Sequence, residues 1–123
     1  MEIFRCKLCG NIIVKLVDSG AVPVCCGEPI SLLHANTTDA AQEKHVPAFS
    51  LEGNTLTVQV GDVLHPMTPE HFIQFILVEQ DGKVQYTKLT PDQEPKATFS
   101  VCQDKPFTVY EYCNLHGLWK AEK

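Results

Sequence analysis

The chain has no apolar run approaching the ~20 residues a membrane helix needs. Its first residues, Met1-Glu2-Ile3-Phe4-Arg5-Cys6, lack the basic segment and apolar stretch of an export signal. These absences exclude a membrane-spanning helix and set the expectation of a cytoplasmic protein with no membrane partner. Positive charge is also scarce. Ten Lys and Arg face fifteen Asp and Glu, for a net charge of −5, and the basic residues are scattered singly. A nucleic-acid binder neutralises phosphates with a basic stripe, so the expectation is no nucleic acid. Internal repeats and low-complexity tracts are missing as well, which excludes solenoids and tandem arrays.

What the chain does have is cysteine and histidine, six and five in 123 residues. That length suits one compact domain or a small module followed by a modest one. Cysteines in a chain without export signals are expected as thiolate ligands rather than disulfides, because the cytosol keeps thiols reduced. The vicinal pair Cys25-Cys26 argues the same way, since adjacent cysteines bridge each other poorly.

Residues 1–36 read as a cysteine-rich module with too few large apolar residues for a core of its own. A bound metal would have to supply the missing folding energy. Asn36 to Lys44 reads as a polar linker in which Thr38 or Asp39 caps at most one helical turn. From His45 onward the pattern is β. Leu56, Val58 and Val60 alternate with Thr55, Thr57 and Gln59, the period of a half-buried strand. Phe72 to Gln80 and Lys83 to Leu89 read as strands joined by an Asp81-Gly82 hairpin turn. Ala97 to Cys102 and Phe107 to Tyr112 complete the set, which implies an all-β sandwich or barrel. Cys102 is expected as a small buried hydrophobe in its strand.

Cys6-Lys7-Leu8-Cys9 is a knuckle in which the two-residue gap lets both sulfurs face one metal. Cys25-Cys26 completes four thiolates, a set that selects zinc or iron. Spacing does not decide between the two metals, nor between a structural staple and a one-electron iron site. Gly10 and Gly27 follow the cysteines where a turn demands positive φ.

A second set lies downstream. A lone histidine in a β-protein is usually a surface or satisfied core residue, and His34 keeps that reading. His45, His65, His71 and His116 differ because each falls at a strand end, beside Cys113, where loops of a sandwich converge on one face. Four imidazoles and one thiolate are one ligand too many for tetrahedral zinc. They suit a five-coordinate iron with an open sixth position opposite the thiolate, whose electron donation favours chemistry on a small oxygen ligand. A blue-copper site with Met67 as the axial ligand would leave two histidines unexplained. Glu43 and Lys44 precede His45 directly. A solvated charge pair is the bland reading. The sharper one puts the Lys44 ammonium over the open position to attract a small anion, with Glu43 as a removable sixth ligand. A zinc-loaded binding module and a pure electron carrier stand as the alternatives.

These segments together resemble the desulfoferrodoxins, the two-iron form of superoxide reductase, over essentially the whole chain. Cys6-Lys7-Leu8-Cys9-Gly10-Asn11 with Cys25-Cys26 is similar to the family's desulforedoxin-like module. Glu43-Lys44-His45-Val46-Pro47, His65-Pro66-Met67, His71-Phe72-Ile73 and Cys113-Asn114-Leu115-His116-Gly117-Leu118-Trp119 are similar to its catalytic segments, with no departure at a ligand position. The resemblance implies a mainly β protein: a desulforedoxin-like module (1–36), then an immunoglobulin-like antiparallel β-sandwich (37–123). It implies two iron ions per chain, one on the four cysteines and one held equatorially by the four histidines and axially by Cys113. Glu43 would be the sixth ligand of the oxidised iron, and Lys44 would attract superoxide and help deliver a proton. The resemblance further implies reduction of superoxide to hydrogen peroxide, rubredoxin or a rubredoxin reductase as electron donor, and a homodimer.

Overall fold

The structure, a computed structural model, describes all 123 residues. The chain divides into two compact units, Met1–His34 and Ala35–Lys123. No helix is long and apolar enough to cross a membrane.

The first unit is built from very short strands: β1 (Ile3–Arg5), β2 (Ile12–Val14), β3 (Val24–Cys25), β4 (Glu28–Pro29) and β5 (Ser31–Leu32). Three form a sheet in the order β2-β1-β5, and β3 pairs with β4. Phe4 lies opposite both Ile13 and Leu32. The core gathers Phe4, Cys6 and Ile30, with Ile13 and Cys25 packed against it. The unit has only this small cluster, in keeping with the few large apolar residues read in its sequence. Two of the cluster's five members are cysteines. Strands of two or three residues carry too little alternation to be seen in the sequence.

The second unit begins with a single helical turn, α1 (Gln42–His45), followed by β6 (Pro47–Glu52), β7 (Thr55–Val60), β8 (Ile73–Gln80), β9 (Lys83–Lys88), β10 (Lys96–Ser100), β11 (Thr108–Cys113) and β12 (Gly117–Glu122). A three-stranded sheet, β10-β7-β6, packs on a four-stranded one, β12-β11-β8-β9, and every pairing is antiparallel. Seven antiparallel strands in two sheets make the immunoglobulin-like sandwich. The core is made of residues that alternate along the strands: Leu56, Val58 and Val60 from one sheet, Ile73, Ile76, Val78, Val109 and Cys113 from the other. The β8–β9 turn is the expected one. Asp81 and Gly82 take φ of +49° and +77°, the pair of positive values that a type I′ hairpin requires.

Three expectations are corrected. The cap of α1 is Ala41, which makes no side-chain capping bond, so neither Thr38 nor Asp39 starts the helix. The segment expected as a linker is tied to the sheet, because Asn36 exchanges two hydrogen bonds with the backbone of Lys120, at 2.9 and 3.2 Å. Cys102 is exposed and lies beyond β10, which ends at Ser100. Its backbone leaves the ladder to bond the buried amide of Gln80, with N–H donating at 2.7 Å and C=O accepting at 2.8 Å. Strand β12 is not anticipated by the sequence pattern, because Gly117-Leu-Trp-Lys-Ala-Glu lacks clean alternation.

Candidate metal centres

The first centre forms where two turns meet. In the Cys6–Cys9 knuckle, Gly10 N–H donates to Cys6 C=O and Cys6 N–H to Asn11 C=O, both at 2.9 Å, and Gly10 takes the positive φ of +84° that closes the turn. The vicinal cysteines are split by a hairpin. Cys25 ends β3 opposite Glu28, while Cys26 and Gly27 form the two-residue turn with φ of +53° and +79°. That left-handed turn swings the second of two adjacent thiols toward the same point as the first. All four sulfurs lie within 4.8 Å of one another, with Cys9 and Cys25 3.6 Å apart and Cys25 and Cys26 4.0 Å apart. A tetrahedron with metal–sulfur bonds of about 2.3 Å has sulfurs ~3.8 Å apart, so the cage fits a single ion.

Backbone N–H groups of Cys9 and Leu8 hold the Cys6 thiol down to about 6. The neighbouring sulfurs of Cys9, Cys6 and Cys25 push Cys26 up to about 12. One sulfur ionises readily and another resists, so collecting four thiolates requires a cation. Asn11 adds a donor, its Nδ2 lying 3.6 Å from the Cys25 sulfur.

The second centre sits at one end of the sandwich. His45 ends α1 just before β6, His65 follows β7, His71 precedes β8, Cys113 ends β11 and His116 lies in the turn before β12. Antiparallel register makes these ends coincide: Pro47 pairs with Val60, and Cys113 pairs with both Ile73 and Gly117. The five donor atoms lie within 4.8 Å of one another. His45, His65 and Cys113 are buried.

Two of the rings are turned by a bond on the outer nitrogen. His45 Nδ1 donates to Ala41 C=O at 2.8 Å and His65 Nδ1 to Pro66 C=O at 2.7 Å, which leaves both Nε2 atoms facing inward. His45 Nε2 lies 3.2 Å from His65 Nε2 and 3.0 Å from His116 Nδ1. Nitrogens bound at right angles to one ion at about 2.1 Å lie ~3.0 Å apart. His71 Nε2 is buried with no hydrogen-bond partner. Inward lone pairs and a buried nitrogen with no protein partner suit coordination of a cation, and this donor set fits iron. Burial, above all, lowers the proton affinity of His45, His65 and His71, with His65 down to about 4. The rings are thereby kept as neutral ligands. Burial also pushes the Cys113 thiol up, against backbone N–H groups of Leu115 and His116 that stabilise its thiolate.

Glu43 and Lys44 are exposed on α1. The Lys44 charge acts on both His45 and His71, lowering each, so its field reaches the centre. Met67 packs against the core and its sulfur accepts Ile73 N–H at 3.4 Å, a use that leaves the blue-copper reading unsupported. His34, like Cys102, belongs to neither cluster.

Two supporting residues have roles that no sequence reading assigns. Asn114 stitches the Cys113–His116 turn to the His71 loop: its Oδ1 accepts Phe72 N–H at 2.9 Å, and its Nδ2 donates to Glu70 C=O at 3.0 Å. Glu111 is fully buried with both carboxylate oxygens unpartnered, and burial raises its pKa well above the usual range. Strand parity is the available signal for it, since Val109, Glu111 and Cys113 share one face.

Fold and centres define a class: a two-unit non-haem metalloprotein with one four-cysteine donor set and one set of four histidines and a cysteine. The family model for desulfoferrodoxin matches residues 37–122, and that for the desulfoferrodoxin N-terminal domain matches residues 1–33. The chain is 46% identical over 122 residues to the desulfoferrodoxin of Syntrophotalea carbinolica (99% of this chain, 96% of that one). It is 48% identical over 122 residues to that of Nitratidesulfovibrio vulgaris (98% and 95%). The crystal structure of the superoxide reductase from Treponema pallidum matches with a TM-score of 0.78 at 33% identity, covering 98% of this chain and 97% of that one. This chain belongs to the desulfoferrodoxin family, and its two donor sets are those of a two-iron protein.

Proposed function

We propose that this protein is a superoxide reductase. Superoxide takes up one electron and two protons to give hydrogen peroxide, and no oxygen is released. The observation that carries the reading is the cluster of four imidazoles and one thiolate within 4.8 Å at the loop end of the sandwich. Five such donors would hold one ion and leave it able to take a small ligand. Similarity to the superoxide reductase from Treponema pallidum supports the same reading.

In this reading His45, His65 and His71 would hold the catalytic iron through Nε2, His116 through Nδ1, and Cys113 through its sulfur. Cys6, Cys9, Cys25 and Cys26 would hold the second iron. When bound, the iron would supply the electron, and a thiolate ligand would enrich it for that donation. Lys44 offsets the repulsion that a chain of net charge −5 exerts on an anion, and steers superoxide inward. Its ammonium also hydrogen-bonds water that carries a proton to the reduced product. Glu43, exposed on α1, would be a further carboxylate ligand available to the iron when substrate is absent. Because no oxygen is formed, each turnover draws one electron from outside, and the family resemblance points to rubredoxin or a rubredoxin reductase. The protein works in the cytoplasm as a homodimer.

The test combines iron content, visible spectrum and product stoichiometry. Two irons per chain, a thiolate-to-iron band that Cys113→Ser abolishes, and one hydrogen peroxide per superoxide with no oxygen would support the reading. Oxygen at one per two superoxides would identify a dismutase and overturn it.

A further inference from the structure

We propose that Gly61 is a positioning residue for Glu43 and Lys44, seating the turn that carries them against the loop that carries His65. The inference rests on the functional reading of Lys44 given above.

Gly61 directly follows β7 and has φ of +81°. A Cβ at this position would lie 2.5 Å from the Val63 carbonyl oxygen, 2.6 Å from the Glu43 carbonyl oxygen and 2.7 Å from the Lys44 carbonyl carbon. All three are backbone atoms, so no side-chain rotation relieves the overlap. Carbon–carbon contacts are comfortable near 3.5–4.0 Å, so any side chain at 61 forces the α1 turn and the 61–65 loop apart. Bare backbone at this position lets Val63 N–H reach the Glu43 carbonyl at 3.0 Å. That bond ties the α1 turn to the 61–65 loop, and His65 N–H closes the same loop on Val60 C=O at 3.4 Å.

The displacement would not be shared evenly along α1. His45 is held from its other side: its ring stacks on Trp119 at 5.1 Å between centroids, and the chain just beyond it enters the sheet where Pro47 pairs with Val60. Glu43 and Lys44 have exposed side chains, and their firmest backbone anchor is the contact at Gly61 and Val63. A side chain at 61 therefore moves Glu43 and Lys44 while His45 stays. Two ligand-bearing segments meet at this glycine, and the reach of the two exposed charges to the metal is set there.

The experiment uses iron-loaded full-length protein and four variants: Gly61→Ala, Gly61→Asn, Lys44→Ala, and Gly61→Ala with Lys44→Ala. Asn tolerates a left-handed φ but still brings a Cβ, so it separates the contact from the conformational strain and serves if the alanine variant folds poorly. Superoxide reduction is measured as a function of ionic strength, and amide exchange of residues 41–46 and 61–65 by mass spectrometry. The expected result is two irons per chain, an unchanged spectrum of the four-cysteine site, and amide exchange in both segments faster by about tenfold. The superoxide rate constant falls ~10-fold, since a displacement near 1 Å is enough for such losses, and its salt dependence flattens to that of Lys44→Ala. The double variant is no slower than Lys44→Ala.

Wild-type rate and salt dependence in both Gly61 variants, with Lys44→Ala slow, would overturn the positioning role alone. So would an additive loss in the double variant. Failure of both Gly61 variants to fold or to hold iron would make Gly61 purely structural and overturn the proposal. A wild-type rate in Lys44→Ala would instead bring down the reading of Lys44, and this inference with it.

Discussion

The indole of Trp119 stacks on the His45 ring, centroids 5.1 Å apart and planes at 27°, while its Nε1–H donates to the His116 carbonyl at 3.1 Å. One buried side chain thus orients two imidazoles that lie 71 residues apart in the chain. Trp119→Phe keeps the aromatic face and removes the donor. We expect it to retain iron and to lose about 1 kcal/mol of stability, the ordinary net worth of one hydrogen bond. Trp119→Ala removes the packing too and should lose about 3–5 kcal/mol, with iron content falling. Denaturant unfolding of the iron-loaded variants checks both. Equal losses would mean that packing of the indole does nothing beyond the hydrogen bond.

Lys44 is exposed, and its charge adds to burial, the main cause, in lowering the proton affinity of His45 and His71. Lys44→Ala should slow superoxide reduction about tenfold at low ionic strength, within the range of electrostatic steering, and the difference should shrink as salt screens the charge. Lys44→Arg preserves the charge and should restore most of the rate. Rate constants measured across a salt series check this. An unchanged rate in Lys44→Ala would remove the residue from the mechanism.

The buried histidines give a pH signature. His45, His65 and His71 all have folded proton affinities below the free imidazole value, His65 at about 4. The folded state binds fewer protons than the unfolded one, so stability rises with pH across this window. Their contribution is full above the unfolded value near 6.5 and is lost below it, that of His65 as pH falls through about 4. Metal binding should follow the same rule. With the four-cysteine site already loaded, binding of a ferrous ion at the second site should release fewer additional protons on going from about pH 7.5 to about pH 6 than ordinary imidazoles at positions 45, 65 and 71 would. Three ordinary imidazoles would add about two more at the lower pH. Calorimetry in buffers of different ionisation enthalpy counts them, and an increase of that size would show that these histidines titrate normally.

The donor sets are legible in the sequence because their chemistry is local. Cys6-x-x-Cys9, the Cys25-Cys26 pair and the Cys113-to-His116 turn each announce ligands within a few residues, and alternation at Leu56, Val58 and Val60 marks the sheet beside them. What stays hidden depends on partners far along the chain. Cys102 has the pattern of the end of a buried strand, and only the amide of Gln80, 22 residues away, draws its backbone out of the ladder. Thr38 and Asp39 have the side chains of a cap, but α1 starts at Gln42, where the 61–65 loop gives it a seat. The role of Asn114 depends on Glu70 and Phe72, brought alongside by the β8–β11 pairing.

Glu111 is the least expected residue in the second unit. It faces the core from β11 between Val109 and Cys113, opposite Ile76 and Trp119, with neither carboxylate oxygen partnered. An unpaired buried carboxylate is costly, so the side chain takes up a proton instead, and burial raises its pKa well above the usual range. The folded state then holds a proton that the unfolded chain releases near pH ~4.3. Stability should therefore fall as pH rises above that value, by up to about 1.4 kcal/mol per pH unit, until the folded group itself ionises. Glu111→Gln keeps the shape and cannot ionise. We expect it to match the parent protein near about pH 4, to exceed it at about pH 8, and to flatten the slope between. Denaturant midpoints of the iron-loaded protein across that range test this. A variant less stable than the parent at every pH would show that the ionised carboxylate has a favourable partner in the folded state.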